Sequence, residues 1–171
     1  MSTTHEPDNL STPTNLLPYL VPAAAPRQLR WYMGGLLRFL ATAPDTGGLF
    51  SLFEVEMRQG AAPPRHLHTH EDESFYVLAG ELEVCVGDVT HQLRPGDFLF
   101  LPRQVPHNFR VLSETARFLN QLAPAGLERL FLELGTPTER AELPPRPTGP
   151  PPAEFLARVQ ALQYQLGIRP A

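Results

Sequence analysis

The chain has 171 residues, of which 42% are hydrophobic and 19% are charged. This length suits one ordinary domain, and the apolar content is sufficient for a buried core, so extensive disorder is excluded. All 14 basic residues are arginine, which excludes mechanisms that need a lysine Schiff base or a lysine general base. The formal net charge is −4 and there is no basic cluster, so nucleic acid is not an expected partner.

Cys85 is the only cysteine, so neither an intramolecular disulfide nor a thiolate-rich metal site can form. Its sequence neighbours supply no base or cation, and we expect an unreactive thiol. Residues 1–13 lack the basic region and apolar run of a leader peptide, and no stretch approaches the ~18 apolar residues of a membrane span. We therefore expect a cytoplasmic protein without a membrane partner.

Residues 1–30 contain many Thr, Asn, Ala and Pro residues and predict an extended N-terminal arm. Such an arm, with Trp31 and Tyr32 at its end, can cover the mouth of the folded unit or exchange with a second chain. A homodimer is the expected state on this basis.

The segment from residue 31 to about 122 consists of short apolar runs separated by Gly, Pro and Asp. Ser51, Phe53 and Val55 share one parity, opposite to that of Glu54 and Glu56, which is the period of a half-buried strand. We read residues 75–79, 82–86 and 98–101 in the same way. Hairpin turns are predicted at Gly80-Glu81 and Gly87-Asp88. Many short strands at close spacing indicate a sandwich or a small barrel.

The C-terminal part predicts two helices and a linker. Residues 127–134 carry apolar positions at helical spacing after Pro124-Ala-Gly, which gives a trailing helix for a unit at 31–135. Residues 136–152 include the run LPPRPTGPPP and predict a Pro-rich linker. The final segment, 153–171, predicts a helix at 153–166 that ends at Gly167.

Three histidines, His66, His68 and His70, directly precede an acidic run that ends at Glu73. On an extended strand, residues two apart project from the same face. Two imidazoles and a carboxylate, joined by an imidazole from another strand, make a mixed nitrogen and oxygen site for a divalent first-row metal. His107 is the natural partner from elsewhere in the chain.

These residues resemble the two motifs of the cupin superfamily. The first motif is matched at every fixed position by Gly60, His66, His68, Glu73 and Gly80, with five, one, four and six residues between them. The second is matched by Gly96, Pro102 and His107. Gln104 replaces the Gly that is usual between that Pro and His, and Val111 stands where Asn is common. Neither departure removes a metal ligand.

Further strings are similar to single-domain cupins of the quercetin 2,3-dioxygenase type. They are PPRH at 63–66, DESFYVL at 72–78, PGD at 95–97, LPR at 101–103, TGG at 46–48 and PAGLE at 124–128. The likeness runs from about Trp31 to Gly135. It implies an all-β fold, the cupin double-stranded β-helix (jelly-roll) barrel, with short C-terminal helices.

The resemblance implies one divalent transition metal held by His66, His68, Glu73 and His107. Fe, Mn, Ni, Co, Cu and Zn are all chemically admissible, because affinity order and metal availability both influence the choice. In quercetinase-like enzymes the equivalent Glu takes a proton from the flavonol, and here that catalytic role falls to Glu73. Such a base is suitable when burial raises its pKa toward neutrality.

The resemblance is compatible with three functions, because cupins host many activities on one barrel. The first is a metal-dependent dioxygenase acting on a flavonol-like or other enolisable small molecule. The second is a small-molecule-binding cupin without turnover. The third is a cupin isomerase or lyase. Each of them takes a small molecule as its partner.

Several other residues lie close to these motifs in the sequence. His70 is expected at an exposed rim and His91 as a structural strand residue. Glu71 shares the parity of Glu73 and can face the metal, whereas Asp72 points the other way. An aromatic substrate cavity is predicted, with core packing as the alternative for each member; its residues are Phe53, Met57, Phe75, Phe98 and Phe100.

Overall fold

A computed structural model of the protein describes residues 16–24 and 28–171. Most of the predicted N-terminal arm, residues 1–15 and 25–27, lies outside the described residues. Residues 16–24 adopt neither helix nor strand, and the Tyr19 hydroxyl donates a 2.9 Å hydrogen bond to the Leu40 carbonyl.

The described residues contain twelve strands in two antiparallel sheets. The seven-stranded sheet has the order β11-β1-β2-β3-β10-β5-β8. Its strands are β1 (Gln28–Tyr32), β2 (Gly35–Ala41), β3 (Ser51–Arg58), β5 (Asp72–Ala79), β8 (Phe98–Leu101), β10 (Thr115–Ala123) and β11 (Thr136–Thr138). The five-stranded sheet has the order β12-β4-β9-β6-β7. Its strands are β4 (His66–His68), β6 (Leu82–Val86), β7 (Val89–Leu93), β9 (His107–Val111) and β12 (Ile168–Pro170).

Three short helices accompany the sheets in the described part: α1 (Ala43–Thr46), α2 (Arg129–Leu134) and α3 (Ala153–Gln165). Leu130 of α2 and Leu162 of α3 are buried in the main core cluster. The short terminal helices are therefore packed on the β framework. In the part of the chain that the structure describes, no helix combines the length and the apolarity that a bilayer crossing requires.

The core lies between the two sheets. Alternate residues of β3 and β10, such as Phe53, Val55 and Phe118, point into it from the larger sheet. Leu82 and Val84 of β6 enter it from the smaller sheet and are fully buried. Period-two alternation places these side chains on one face and the charged residues on the other. The predicted all-β jelly-roll class with short C-terminal helices is confirmed.

One of the two predicted hairpins is different in the structure. Gly87-Asp88 is the two-residue turn of the β6–β7 hairpin, in which Val86 pairs with Val89. The turn at Gly80 instead carries the chain from β5 in one sheet to β6 in the other. Gly80 has φ +76°, and a Cβ there would lie 2.2 Å from the Thr115 carbonyl oxygen. A turn therefore occurs at Gly80, but it joins sheets and does not form a hairpin.

The two segments beyond the predicted barrel both contribute strands. The segment 136–152, which we expected as a linker, begins with β11, and β11 pairs with β1. The final segment, 153–171, continues past its helix into β12, which pairs with β4. Both strands are three residues long and contain Pro, so their strand state depends on distant partners and has no local sequence signal.

Candidate metal centre

Three histidines converge where β4 meets β9. His66 and His68 come from β4, and His107 of β9 is the register partner of His66. One ring nitrogen from each histidine lies within 4.8 Å of the others. The ring centroids are 5.1 Å apart for His66 and His68, 4.7 Å for His66 and His107, and 5.0 Å for His68 and His107. The structure thus brings together all three predicted histidine ligands.

Backbone carbonyls fix the tautomers of two of these rings. His66 Nδ1 lies 2.8 Å from the Pro64 oxygen, and His107 Nδ1 lies 2.9 Å from the Val105 oxygen. A carbonyl only accepts, so each Nδ1 carries a proton and donates it. In the neutral ring the lone pair is then on Nε2, which is the nitrogen available to a metal.

Glu73 of β5 completes the set from the opposite sheet. Its Oε2 lies 3.1 Å from His107 Nε2 and 3.5 Å from His68 Nε2. Its Oε1 accepts a 2.7 Å hydrogen bond from Asn120 Nδ2 of β10. Glu73, His68 and His107 are all buried. The two carboxylate oxygens therefore have separate partners, and Oε2 is the one directed at the histidines.

Burial and two histidine contacts act in opposite directions on the pKa of Glu73. Burial alone raises the pKa of the Glu73 carboxyl, but its contacts with His107 and His68 outweigh burial and hold the pKa below its usual range. For His107, burial lowers the pKa, yet contact with Glu73 leaves it raised overall. With these histidine contacts in place, the pKa of Glu73 is not raised toward neutrality, which is the condition that would make its carboxyl an effective base.

The donor set fits a divalent transition metal. Nε2 of His68 and Nε2 of His107 are buried and have no well-aligned hydrogen-bond partner among the described residues. Buried nitrogens of this kind normally have a partner, and a missing ion is one explanation for such an exception. Three imidazole nitrogens and one carboxylate oxygen are typical ligands for first-row metals.

Asn120 is the site residue that sequence reasoning missed. It is buried on β10, where Ala116, Phe118 and Leu122 share its inward parity. A single amide in an otherwise apolar inward row was the available signal, because a buried amide needs a polar partner. Its partner, Glu73, became evident only from the pairing of β10 with β5.

The loop before His107 is tied to the site by backbone contacts. Gln104, at the position where the resemblance favours Gly, has φ +63°. Its N–H donates a 2.7 Å hydrogen bond to the His68 carbonyl. The preceding Arg103 forms a bidentate ion pair with Asp72 at the start of β5. Val111, the other departure, is buried in the core, where it pairs with Leu82.

Of the five residues predicted for an aromatic cavity, three lie in or against the core and two are exposed. Phe53 and Phe75 are buried in the core, and Met57 is partly buried against it. Phe98 and Phe100 are 61% and 52% exposed. On β8 the inward side chains are Leu99 and Leu101 instead. These two phenylalanines therefore face solvent and do not line the barrel interior, which corrects that part of the prediction.

The remaining candidates lie around the site. His70 is exposed, and His91 is half-buried opposite Val84 on the β6–β7 hairpin. Glu71 is buried, and burial raises its pKa. Cys85 has a cation that its sequence neighbours did not reveal, because Arg65 Nη1 donates to its Sγ at 3.2 Å.

The comparisons with known proteins agree with this geometry. A cupin-domain family model matches residues 53–121. Protein SchB of Streptomyces halstedii is 39% identical over 94 residues, which are 53% of this chain and 67% of SchB. The chain belongs to the cupin superfamily. It is also similar to quercetin 2,3-dioxygenase of Bacillus subtilis strain 168, with 30% identity over 131 residues, 77% of this chain and 39% of that enzyme.

Solved structures of other proteins share the fold. KdgF from Halomonas sp. superposes with a TM-score of 0.52 and 21% identity, over 58% of this chain and 86% of KdgF. Oxalate decarboxylase from Bacillus subtilis gives a TM-score of 0.51 and 24% identity, over 57% of this chain and 27% of that protein. At sequence identities this low, structural similarity supports the same barrel fold but does not indicate a shared activity. This cupin spans about two fifths of the length of the Bacillus quercetin dioxygenase.

Proposed function

We propose that this cupin binds one divalent transition metal per chain through His66, His68, His107 and Glu73. The observation that carries the proposal is the convergence of three ring nitrogens within 4.8 Å, beside a buried carboxylate. The metal is one of Fe, Mn, Ni, Co, Cu and Zn. Its identity depends on relative affinity and supply as much as on these ligands.

The proposed reaction is a dioxygenation of a flavonol-like or other enolisable small molecule. The similarity to quercetin 2,3-dioxygenase over 77% of the chain supports this choice. A bound metal would supply a Lewis acid for a substrate oxygen and an open coordination position. The protein would supply a fixed set of ligands and a buried acid–base group beside them.

Glu73 is the proposed proton acceptor. The lowered pKa of its carboxyl keeps it ionised at neutral pH, so it can serve as a ligand and as an acceptor. The same low pKa makes it a weak base when its histidine contacts are intact. Asn120 donates to Oε1, so Oε2, which faces the histidines, is the oxygen that would serve in turn as ligand and as proton acceptor.

Two other functions use the same residues. A small-molecule-binding cupin would hold metal and ligand without turnover, and an isomerase or lyase would turn over without oxygen. The described ligand cluster consists of three histidines and Glu73 and contains no second carboxyl group, which favours the binding cupin. The isomerase or lyase is an alternative because many kinds of reaction occur on this fold.

The metal proposal is tested by elemental analysis of protein expressed without a His tag. We expect about one equivalent of metal per chain, and strong losses in His66→Ala and His107→Ala. His91→Ala is the matched control, since His91 lies in the same sheet but outside the cluster. Metal content that stays the same in all three variants would contradict the proposal.

The reaction is tested by oxygen consumption when quercetin or a panel of diketones is added to metal-reconstituted protein. Glu73→Gln should lower turnover by about 100-fold if the carboxylate accepts the proton. Glu133→Gln, an exposed carboxyl change on α2, is the control. Tight binding of an aromatic ligand without oxygen uptake would favour the binding protein. Turnover without oxygen would favour the isomerase or lyase.

We also propose a homodimer in solution. Phe98 and Phe100 are exposed on β8, an edge strand of the seven-stranded sheet, and exposed aromatic edges favour association. Light scattering of the wild type and of Phe98→Ser/Phe100→Ser tests this, with a monomeric wild type as the contrary result. The cytoplasmic location and the absence of a nucleic-acid partner stay predictions.

A further inference from the structure

The strand that carries two of the histidines is weakly attached to its own sheet on one side. β4 has a single register pair with β9, between His66 and His107. On its other side it has three pairs with β12: His68 with Ile168, Leu67 with Arg169, and His66 with Pro170. Most of the strand pairing of β4 is therefore supplied by β12.

Backbone hydrogen bonds extend this pairing beyond both ends of β4. The Thr69 N–H donates to the Gly167 carbonyl at 3.0 Å, and the Ala171 N–H lies 3.3 Å from the Arg65 carbonyl oxygen that it donates to. β12 is itself anchored, because Ile168 is buried and the preceding α3 buries Val159 and Leu162. The position of β4 is consequently coupled to the packing of the C-terminal helix.

We propose that β12 and Gly167 are positioning elements of the metal centre, which hold His66 and His68 at ligand distance from His107. This inference rests on the proposed metal site and deepens it. The cupin-domain match ends at residue 121, so the element belongs to this chain's C-terminal segment and not to the matched barrel. Such supporting contacts fix ligand geometry and thereby affinity.

Gly167, which directly precedes β12, approaches the ligand strand too closely to carry a side chain. It has φ +84°, and a Cβ there would lie 2.3 Å from Thr69 Oγ1 and 2.6 Å from His70 Cδ2. A side chain of any size would therefore push on the residues that directly follow His68. Gly48 provides a matched control, since its φ is also +84° and an added Cβ would meet nothing within 4 Å.

The experiment compares Gly167→Ala with Gly48→Ala in the full chain, using Co²⁺ and Zn²⁺ as probes in competition with a chelator. Both substitutions introduce the same left-handed backbone strain. We expect Gly167→Ala to weaken metal binding by about 10-fold or more and to change the Co²⁺ visible spectrum. Gly48→Ala should retain wild-type affinity and spectrum. Adding Thr69→Ala and His70→Ala to Gly167→Ala should restore affinity, because the clashing atoms are removed.

A metal-free readout separates this inference from the metal proposal itself. The His66 and His107 rings are 4.7 Å apart, which is close enough for a nuclear Overhauser effect between their protons. That signal and the slow exchange of the Thr69 amide should be lost in Gly167→Ala and kept in Gly48→Ala. If wild type binds no metal, the proposed function fails, and these signals still decide whether β12 positions the rings.

Deletion of residues 168–171 is the second variant, for the case in which Gly167→Ala does not fold. It removes β12 and leaves α3 in place. We expect the barrel to fold, with weakened metal binding and loss of the His66–His107 signal. Wild-type affinity and an intact signal in either folded variant would overturn the inference.

Discussion

Asn120 and Glu73 lie diagonally across neighbouring strands, and a 2.7 Å hydrogen bond joins Asn120 Nδ2 to Glu73 Oε1. In the β10–β5 register Asn120 pairs with Phe75 and Glu73 pairs with Leu122. Diagonal neighbours on one face of a sheet are within reach of each other's side chains. A carboxylate oxygen is a stronger acceptor than the carbonyl oxygen of a neutral carboxyl group, so this contact favours the carboxylate form of Glu73.

Asn120→Asp should therefore weaken metal binding strongly. A second carboxylate beside Glu73 would raise the pKa of the Glu73 carboxyl and favour its protonated form, which is a poor metal ligand. We expect at least about a 10-fold loss of affinity, and a smaller loss in Asn120→Ala. Gln121→Glu makes the same change in charge on the exposed face of the same strand and should bind normally. Equal affinities in Asn120→Asp and Gln121→Glu would show that Asn120 does not support the site.

Gln104→Gly should be more stable than Gln104→Ala. A residue with a side chain costs about 1–2 kcal/mol in the left-handed region that Gln104 occupies. Glycine removes that cost and adds about 0.5–1 kcal/mol of backbone entropy loss. We expect a net gain of up to about 1.5 kcal/mol in the free energy of unfolding relative to Gln104→Ala, measured by urea denaturation. A Gly variant no more stable than the Ala variant would contradict this account.

Ionisation of Tyr32 should destabilise the folded protein at high pH. Burial raises the pKa of its hydroxyl from 10.0 to about 12, and its ring packs edge-on against Phe131 of α2 at 5.3 Å. Because the folded pKa is the higher one, its contribution is present below pH 10 and is lost as the pH rises through about 12. Urea denaturation at pH 8 and pH 11.5 should show a smaller loss in Tyr32→Phe than in wild type. Identical losses would rule Tyr32 out as the cause.

Asp72→Ala should destabilise the protein more than Arg103→Ala. Asp72 Oδ1 accepts from both the backbone N–H and Nε of Arg103, and Oδ2 accepts from Nη2. Arg103→Ala keeps the backbone N–H hydrogen bond to Asp72, whereas Asp72→Ala removes that hydrogen bond together with the ion pair. Chemical denaturation of both variants at pH 7 measures the difference.

The acid dependence of Asp72→Ala provides a check on that result. Hydrogen bonds from Arg103 lower the pKa of Asp72 from 3.8 to about 2. The stabilisation is therefore present above pH 3.8 and is lost as the pH falls through about 2. The gap between wild type and Asp72→Ala should close over that range. A gap that does not change with pH would mean that the ion pair contributes nothing.

Strands with strict alternation were predictable from sequence, and strands without it were not. In β3 the acidic Glu54 and Glu56 define the outer face, so Phe53 and Val55 had to be inside. In β8 all four residues are apolar, and the pattern cannot say whether Phe98 or Leu99 points inward. That choice is made by pairing with β5, where Tyr76 is opposite Phe98 on the exposed face.

The histidine cluster was predictable because its spacing carries the chemistry. His66 and His68 are two residues apart on one strand and are followed by Glu73, and the cupin motifs supported both Glu73 and His107 as their partners. The contact of Arg65 with Cys85 and the role of Asn120 depended on which strands pair, and strand order follows from the packing of the whole chain. The lowered pKa of Glu73 had the same origin, since it depends on distances to two histidines from different strands.

The register between β4 and β12 also determines when the site can form during synthesis. Ile168 pairs with His68 across one hundred positions of sequence. Pairs so distant must close a long loop, which makes them slow to form and late to appear on a growing polypeptide. While residues 168–170 are still within the ribosome, the histidine strand has only its single pair with β9. Metal loading of this cupin is therefore expected after translation of the C-terminal segment, and a ribosome-bound chain stalled before residue 168 should acquire metal poorly.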